Sequence, residues 1–210
     1  YMDRFIEAGP QTISFHVETT EPDEAKTEAI AAIHAAGQGA GLAVSPDTPV
    51  SAVDPWLHEL DVMMIMSVHP GWGGQGFIPE AAPKIAEARD KLAQAGRGGL
   101  VHVDGGINSK TAEIVGSYGI DVCIVGSALF QRGRDASKEV DLVKARALRG
   151  FEAATAGARS RGARAAPARA ARPGAGRRDA AGLHRPGSEG PRGSRSRRGG
   201  GGGRRAGREG

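Results

Sequence analysis

The stretch SVHPGWGGQGF, residues 67–77, contains a residue pattern that could bind an anion. It places four glycines within six positions around Trp72, directly after the apolar run LDVMMIMSV. Successive backbone N–H groups in such a loop can form a concave anion-binding nest, because glycine leaves them uncovered. The alternative is a flexible turn whose glycines serve conformation alone. The Gly-Lys-Ser/Thr ending of a Walker loop is absent, so a nucleotide P-loop is not indicated.

Two later stretches also end apolar runs with glycines. VHVDGGIN, residues 101–108, places Asp104 before a glycine pair, where a carboxylate can transfer a proton, bind a metal or simply cap a turn. CIVGSALF, residues 123–130, places Gly126 and Ser127 at the expected start of a short helix, a position suited to phosphate. Three successive apolar runs therefore end in glycine-rich loops, and two of these loops suit a phosphate group.

Short apolar runs alternate with longer amphipathic ones, which predicts a helix followed by five strand–helix units. Strands with Val, Ile and Met on both faces are typical of a parallel sheet covered on both sides. Either an open doubly wound sheet or a closed (β/α)8 barrel would place the loops at one edge. The predicted strands are 12–18, 41–45, 60–68, 99–105 and 121–126. The predicted helices are 2–8, 23–36, 50–59, 80–95, 109–118 and about 136–154.

Composition divides the chain into an acidic front segment, 1–155, and a basic tail, 156–210. The tail has 15 Arg, 3 acidic residues and a single large aliphatic residue, Leu183, so its net charge is +12. We expect it to be disordered, because it cannot bury enough apolar surface to offset the entropy of ordering. An Arg/Gly-rich nucleic-acid arm is one interpretation. The abrupt loss of Lys, Val, Ile and Phe after Thr155 favours translation in a shifted reading frame.

The charge of residues 1–155 and the cysteine content of the chain predict its ligand class and its cellular compartment. Residues 1–155 carry 13 basic and 21 acidic residues, a net charge of −8 that argues against nucleic acid as their partner. The lone cysteine, Cys123, excludes an internal disulfide and favours a reducing cytoplasm. No apolar stretch has the roughly 18 residues that a membrane span requires. We therefore predict a cytoplasmic protein with a small-molecule ligand.

Four segments together resemble the ribulose-phosphate 3-epimerase family: ISFHVE, MSVHPGWGGQGFIP, VDGGIN and VGSALF. Their order and spacing match the family from about Tyr1 to Ala154, with Trp72 where the family more often has Phe. The resemblance implies a (β/α)8 barrel and the interconversion of ribulose 5-phosphate and xylulose 5-phosphate at C3. It also implies two aspartates on opposite faces of the substrate, a homo-oligomer and one divalent metal. Zinc or iron is the expected metal, with manganese, cobalt or magnesium as alternatives.

The resemblance assigns roles to particular residues. Asp104 matches an aspartate that donates a proton and binds the metal. A loop that folds over the substrate is matched by Gly71, Trp72, Gly73 and Gly74. The phosphate-binding residues are matched by Gly105, Gly106, Gly126 and Ser127.

The resemblance also predicts what this sequence lacks. The family's other aspartate, its metal-binding histidines and an early serine lie on the first three strands, and the five strands here look like strands four to eight. We therefore expect a partial barrel that is not a competent epimerase by itself. The alternatives are a related phosphosugar barrel enzyme, or a phosphate- or RNA-binding protein that acts through the basic tail.

Overall fold

The computed structural model describes residues 1–130, 133 and 135–165, with side chains up to residue 159. Helices and strands alternate along these residues. The strands are β1 (Thr12–His16), β2 (Gly39–Val44), β3 (Val62–Met66), β4 (Leu100–Asp104) and β5 (Val122–Ile124). The α-helices are α1 (Met2–Glu7), α2 (Asp23–Ala35), α3 (Pro83–Ala95), α4 (Ala112–Ser117) and α5 (Ala136–Ala165). Two 3₁₀ helices span Val50–Glu59 and Pro79–Ala81.

The five strands form one parallel sheet in the order of the sequence, β1 to β5. A doubly wound sheet would reverse its strand order at a switch point, whereas a (β/α)8 barrel keeps sequence order. The observed order confirms the predicted α/β class and a partial barrel. Within the described residues, no strand pairs with the outer edge of β1 or of β5.

The hydrophobic core lies between the helices and one face of the sheet. Leu42, Ile65 and Val101 project from the strands onto this face, and each is fully buried. Ile33 of α2 and Leu92 of α3 pack against them with almost no exposure. Burying each such side chain contributes about 1.5–3 kcal/mol, so this layer fixes the strand ends that carry the glycine-rich loops.

The other sheet face carries polar and sulfur-containing side chains. Strand register aligns His16, Ala43, Met64 and His102 in one row across four strands. A second row, nearer the carboxyl ends of the strands, aligns Met66 and Asp104 with Ile124. His16 thus shares a face with Asp104, the face that would line the interior of a closed barrel.

Two local predictions are corrected by the structure. The predicted helix at residues 50–59 has the right bounds but is a 3₁₀ helix with Pro55 inside it, and proline supplies no N–H for an α-helical ladder. The short helix predicted to open at Gly126 and Ser127 is a turn, closed by the Leu129 N–H donating to the Gly126 carbonyl over 3.0 Å.

Helix α5 extends past its predicted end near Ala154 and reaches Ala165. The predicted start of the tail at residue 156 therefore falls inside this helix, and the predicted tail from residue 166 lies outside the described residues. The chain divides into two units after Pro167, and the second, Ala168–Gly210, is likewise not described. Among the described helices, none is both long and apolar enough to cross a membrane.

Candidate active site

A glycine-rich loop follows β3 and returns to its own starting point. The N–H of Ile78 donates to the carbonyl of Ser67 over 2.8 Å, which closes the loop at its base. The side chain of Gln75 donates to the carbonyls of His69 and Trp72, at 2.7 and 2.9 Å. These two bonds give the loop a defined shape although it holds few large side chains.

The amides of this loop are available to a ligand. Among the described residues, the N–H groups of Gly71, Gly73 and Gly74 find no protein acceptor. Gly74 has a φ of 80°, a conformation that glycine adopts without strain. A run of uncommitted amides at the carboxyl edge of a sheet is the arrangement that binds anions.

The loop after β4 interlocks with the loop after β3. A Cβ atom on Gly105 would lie 2.6 Å from Val68 Cγ2, and one on Gly106 would lie 2.5 Å from the backbone nitrogen of Phe77. Both glycines also have positive φ angles, 121° and 64°. The glycine pair is therefore required by the close approach of the two loops, whatever it binds.

The glycine pair is held from the side of α4 as well. The carbonyl of Gly106 accepts hydrogen bonds from the Asn108 amide and the Thr111 hydroxyl, both at 3.0 Å. The Oδ1 of Asn108 accepts the N–H of Lys110 over 2.8 Å, in the turn before α4. The helix itself begins later, at Ala112.

Asp104 lies half-buried at the end of β4, directly before the glycine pair. Partial burial raises the pKa of its carboxyl above the ordinary value, and the Gly105 N–H opposes that rise in pKa. A carboxyl with a raised pKa holds its proton nearer to neutral pH, so it can act as an acid as well as a base.

The three loops meet around one cavity of about 320 Å³. It lies at the carboxyl ends of β3, β4 and β5, and Met66, Ile107 and Ile124 form its apolar lining. Every residue singled out in the sequence lines this cavity: Gly71, Trp72, Gly73, Gly74, Asp104, Gly105, Gly106, Gly126 and Ser127. Trp72 is 73% exposed, so its indole covers the cavity only loosely.

Sequence reasoning missed Ser67, which is fully buried at the end of β3. Its hydroxyl donates to the carbonyls of Gly105, at 2.7 Å, and Asp104, at 3.1 Å. The sequence shows a serine at the end of an apolar strand. It does not show the acceptors of the serine hydroxyl, because they lie 37 and 38 residues away along the chain. His69 also lines the cavity, and its Nδ1 lies 3.5 Å from the carboxylate of Asp47.

A complete metal site is not formed by the described residues. No three His, Cys, Asp or Glu side chains among them are grouped closely enough to hold an ion. Buried His102 Nε2 has no hydrogen-bond partner, and His102 shares a strand face with Asp104. One carboxylate and one imidazole fall short of the ligand number that a structural or catalytic metal needs.

Comparison with known proteins decides the family. A sequence model of the ribulose-phosphate 3-epimerase family matches residues 1–130. This chain belongs to that family. A ribulose-phosphate 3-epimerase from Schizosaccharomyces pombe is 38% identical over 130 residues, which cover 62% of this chain and 54% of that protein. One from Rhodospirillum rubrum is 40% identical over 129 residues, which cover 61% of this chain and 55% of that protein.

The fold of this epimerase-family chain is also found in solved structures. The 3-hexulose-6-phosphate synthase from Salmonella typhimurium aligns with a TM-score of 0.52 and 20% identity, over 71% of this chain and 67% of that one. At that identity the likeness concerns the fold alone. The chain spans about half the length of the curated epimerases it matches.

Proposed function

We propose that this chain is the phosphate-binding, single-aspartate part of a ribulose-phosphate 3-epimerase. The reaction is the interconversion of D-ribulose 5-phosphate and D-xylulose 5-phosphate by proton transfer at C3. The observation that carries this proposal is the convergence of Asp104 and three glycine-rich loops on one cavity. Family membership supports the choice of substrate over that of a related phosphosugar enzyme.

The glycine-rich loops are the proposed phosphate-binding elements. Gly71, Gly73 and Gly74 offer uncommitted amides on one side of the cavity, and Gly126 and Ser127 line another side. A dianionic phosphate held there would anchor the sugar through contacts remote from the reacting carbon, and that binding energy can be used to orient C3. Trp72 would cover the bound sugar.

Asp104 is the proposed acid–base group for one face of the substrate. C3 lies next to the ketone carbonyl, so removing its proton gives an enediolate. Asp104 would exchange the proton with C3 on the face that it contacts.

The resemblance implies a divalent metal that stabilises the enediolate, with zinc or iron expected. The described residues do not supply a site for it by themselves, so we assign Asp104 as one ligand at most. One carboxylate also reaches only one face of C3. We therefore propose that this chain alone does not epimerise its substrate, and that the remaining ligands and the second aspartate belong to three further βα units. A homo-oligomer and a cytoplasmic location stay predictions.

Two measurements on the purified chain test the proposal. Trp72 fluorescence should respond saturably to inorganic phosphate and to ribose 5-phosphate, and Trp72→Phe should abolish the signal but keep the binding measured by calorimetry. An assay with ribulose 5-phosphate and zinc should show no formation of xylulose 5-phosphate. Absence of phosphate binding would refute the assignment of the cavity as a phosphate site. Turnover near that of a full-length relative would refute the proposal that this chain lacks part of the active site.

A further inference from the structure

Ser67 connects two of the three loops that line the cavity, those after β3 and β4. Its N–H donates to the Asp104 carbonyl over 2.7 Å, and its carbonyl accepts the Ile78 N–H over 2.8 Å. Its hydroxyl bridges the Asp104 and Gly105 carbonyls, at 3.1 and 2.7 Å. One fully buried residue thus ties the end of β3, the turn after β4 and the far end of the glycine-rich loop together.

The Ser67 hydroxyl contacts the backbone of the turn that orients the Asp104 side chain. Gly105 follows Asp104 with a φ of 121°, and its peptide sets the turn from which the carboxyl projects. The Gly105 carbonyl accepts the shortest of the hydroxyl's bonds. Strand pairing alone accounts for the backbone N–H bond of Ser67, whereas the contacts with the Gly105 and Asp104 carbonyls, which share the single hydroxyl hydrogen, require a hydroxyl at this position.

The same turn is pressed against the glycine-rich loop. Gly105 packs against Val68 and Gly106 against Phe77, in each case without room for a Cβ atom. Val68 is the neighbour of Ser67, and Phe77 is the neighbour of the residue bonded to it, Ile78. A rotation of the Gly105 peptide would therefore displace the turn after β4 and the glycine-rich loop after β3 together.

We propose that Ser67 is a positioning residue, whose hydroxyl sets the Asp104 turn and the glycine-rich loop in the arrangement that receives the phosphosugar. The identity of that ligand rests on the proposed function. The geometric part does not, because Ser67 would order the two loops even if the ligand were another phosphate compound.

Two substitutions at Ser67 separate the hydroxyl from the volume it fills. Ser67→Ala removes the hydroxyl donor from the buried Gly105 carbonyl, while the Asp104 carbonyl keeps the Ser67 N–H. Ser67→Cys keeps nearly the same volume with a weaker donor, so it should fall between alanine and wild type. Ser117→Ala is the control for loss of a serine hydroxyl, because Ser117 is exposed and its hydroxyl donates to the Ile114 carbonyl within the same helix. Val115→Ala is a second control that destabilises a fully buried position outside the cavity lining.

The variants are compared by phosphate affinity from Trp72 fluorescence and by amide hydrogen exchange. We expect Ser67→Ala to bind inorganic phosphate about tenfold more weakly, the scale of one hydrogen bond to a buried group. The amides of Ser67 and Ile78, which donate to the Asp104 and Ser67 carbonyls, should exchange at least about tenfold faster. Ser117→Ala should change neither quantity, and Val115→Ala should leave phosphate affinity unchanged below its unfolding temperature.

Three outcomes would overturn the proposal. The first is a Ser67→Ala protein with wild-type phosphate affinity and wild-type exchange at the amides of residues 67 and 78. The second is a Val115→Ala protein that loses as much affinity as Ser67→Ala, which would reduce the effect to general destabilisation. If Ser67→Ala does not fold, wild-type values in Ser67→Cys overturn it. A wild-type chain that binds no phosphate would refute the proposed function, while the exchange measurement would still decide the role of Ser67.

Discussion

Gly106 and Phe77 lie so close together that no side chain fits between them. A Cβ on Gly106 would stand 2.5 Å from the Phe77 nitrogen and 2.7 Å from its Cα. Both obstructing atoms belong to the backbone, so a rotamer change cannot relieve the overlap. The positive φ of Gly106, 64°, adds strain for any other residue.

Gly106→Ala should therefore destabilise the protein by about 1–3 kcal/mol, the usual cost of overpacking. Gly76→Ala is the control in the same loop region, since a Cβ there would meet no atom within 4 Å. Urea unfolding of both variants measures the difference. Equal stability of the two proteins would show that the loops do not interlock as described.

Gly150 of α5 packs on the backbone of α4 in a similar way. A Cβ on Gly150 would lie 2.1 Å from the Glu113 carbonyl oxygen, and one on Gly116 would lie 2.0 Å from the Ala147 carbonyl oxygen. Replacing a mid-helix glycine by alanine normally stabilises a helix by about 1 kcal/mol. Here Gly150→Ala should instead lower the free energy of unfolding and the melting temperature. A raised melting temperature would contradict the close helix contact.

Lys84 of α3 binds backbone carbonyls of the loop after β2. Its ammonium donates to the carbonyl of Ser45 over 3.1 Å and to that of Thr48 over 2.6 Å. It also donates to the carbonyl of Pro46. Desolvation by burial lowers the pKa of Lys84, but the charge is satisfied by three acceptors. Lys84→Met should cost about 1–3 kcal/mol, because part-buried carbonyls lose their donor.

Lys91→Met is the matched control for Lys84. Its ammonium pairs with Asp54 at 2.7 Å on the surface, a contact expected to contribute at most about 1 kcal/mol. Chemical denaturation compares the two variants. A Lys91 variant that loses as much stability as the Lys84 variant would contradict the assigned role of the loop contacts.

Asp61 links the starts of β2 and β3 and should make stability depend on pH. Partial burial alone would raise its pKa, but the Ala40 N–H, His34 and Arg97 together lower the pKa below the ordinary value of 3.8. A carboxylate with a lowered folded-state pKa contributes stability above the ordinary value, and this contribution is lost as pH falls through the folded-state value. The stability difference between wild type and Asp61→Asn should therefore shrink below pH 3.8.

Arg97→Gln provides the check on that explanation. Arg97 contacts Asp61 Oδ1 at 3.2 Å, so removing its charge should shift acid unfolding to higher pH. Unfolding followed by circular dichroism across acidic pH measures both variants. If the stability of Asp61→Asn falls with decreasing pH as that of the wild type does, Asp61 contributes nothing to the pH dependence of acid unfolding.

The sequence alone predicted the features that depend on local patterns. The apolar alternation located all five strands, and glycine spacing located the three loops that line the cavity. The features it missed depend on distant partners, as with Ser67 and the Gly105 carbonyl or Lys84 and the loop after β2. Gly105 and Gly106 were predicted as phosphate contacts, and nothing in the sequence shows that packing against Val68 and Phe77 also demands glycine.

The most direct test of the central claim is a titration of the ¹⁵N-labelled chain with ribose 5-phosphate, followed by NMR. We expect the amides of Gly73, Gly106 and Gly126 to shift together with one dissociation constant, because their loops line one cavity. Asp104→Asn should bind at least as tightly, since a carboxylate that repels the phosphate is removed. Shifts confined to one loop, or absent from all three, would show that the three loops do not form one phosphate site.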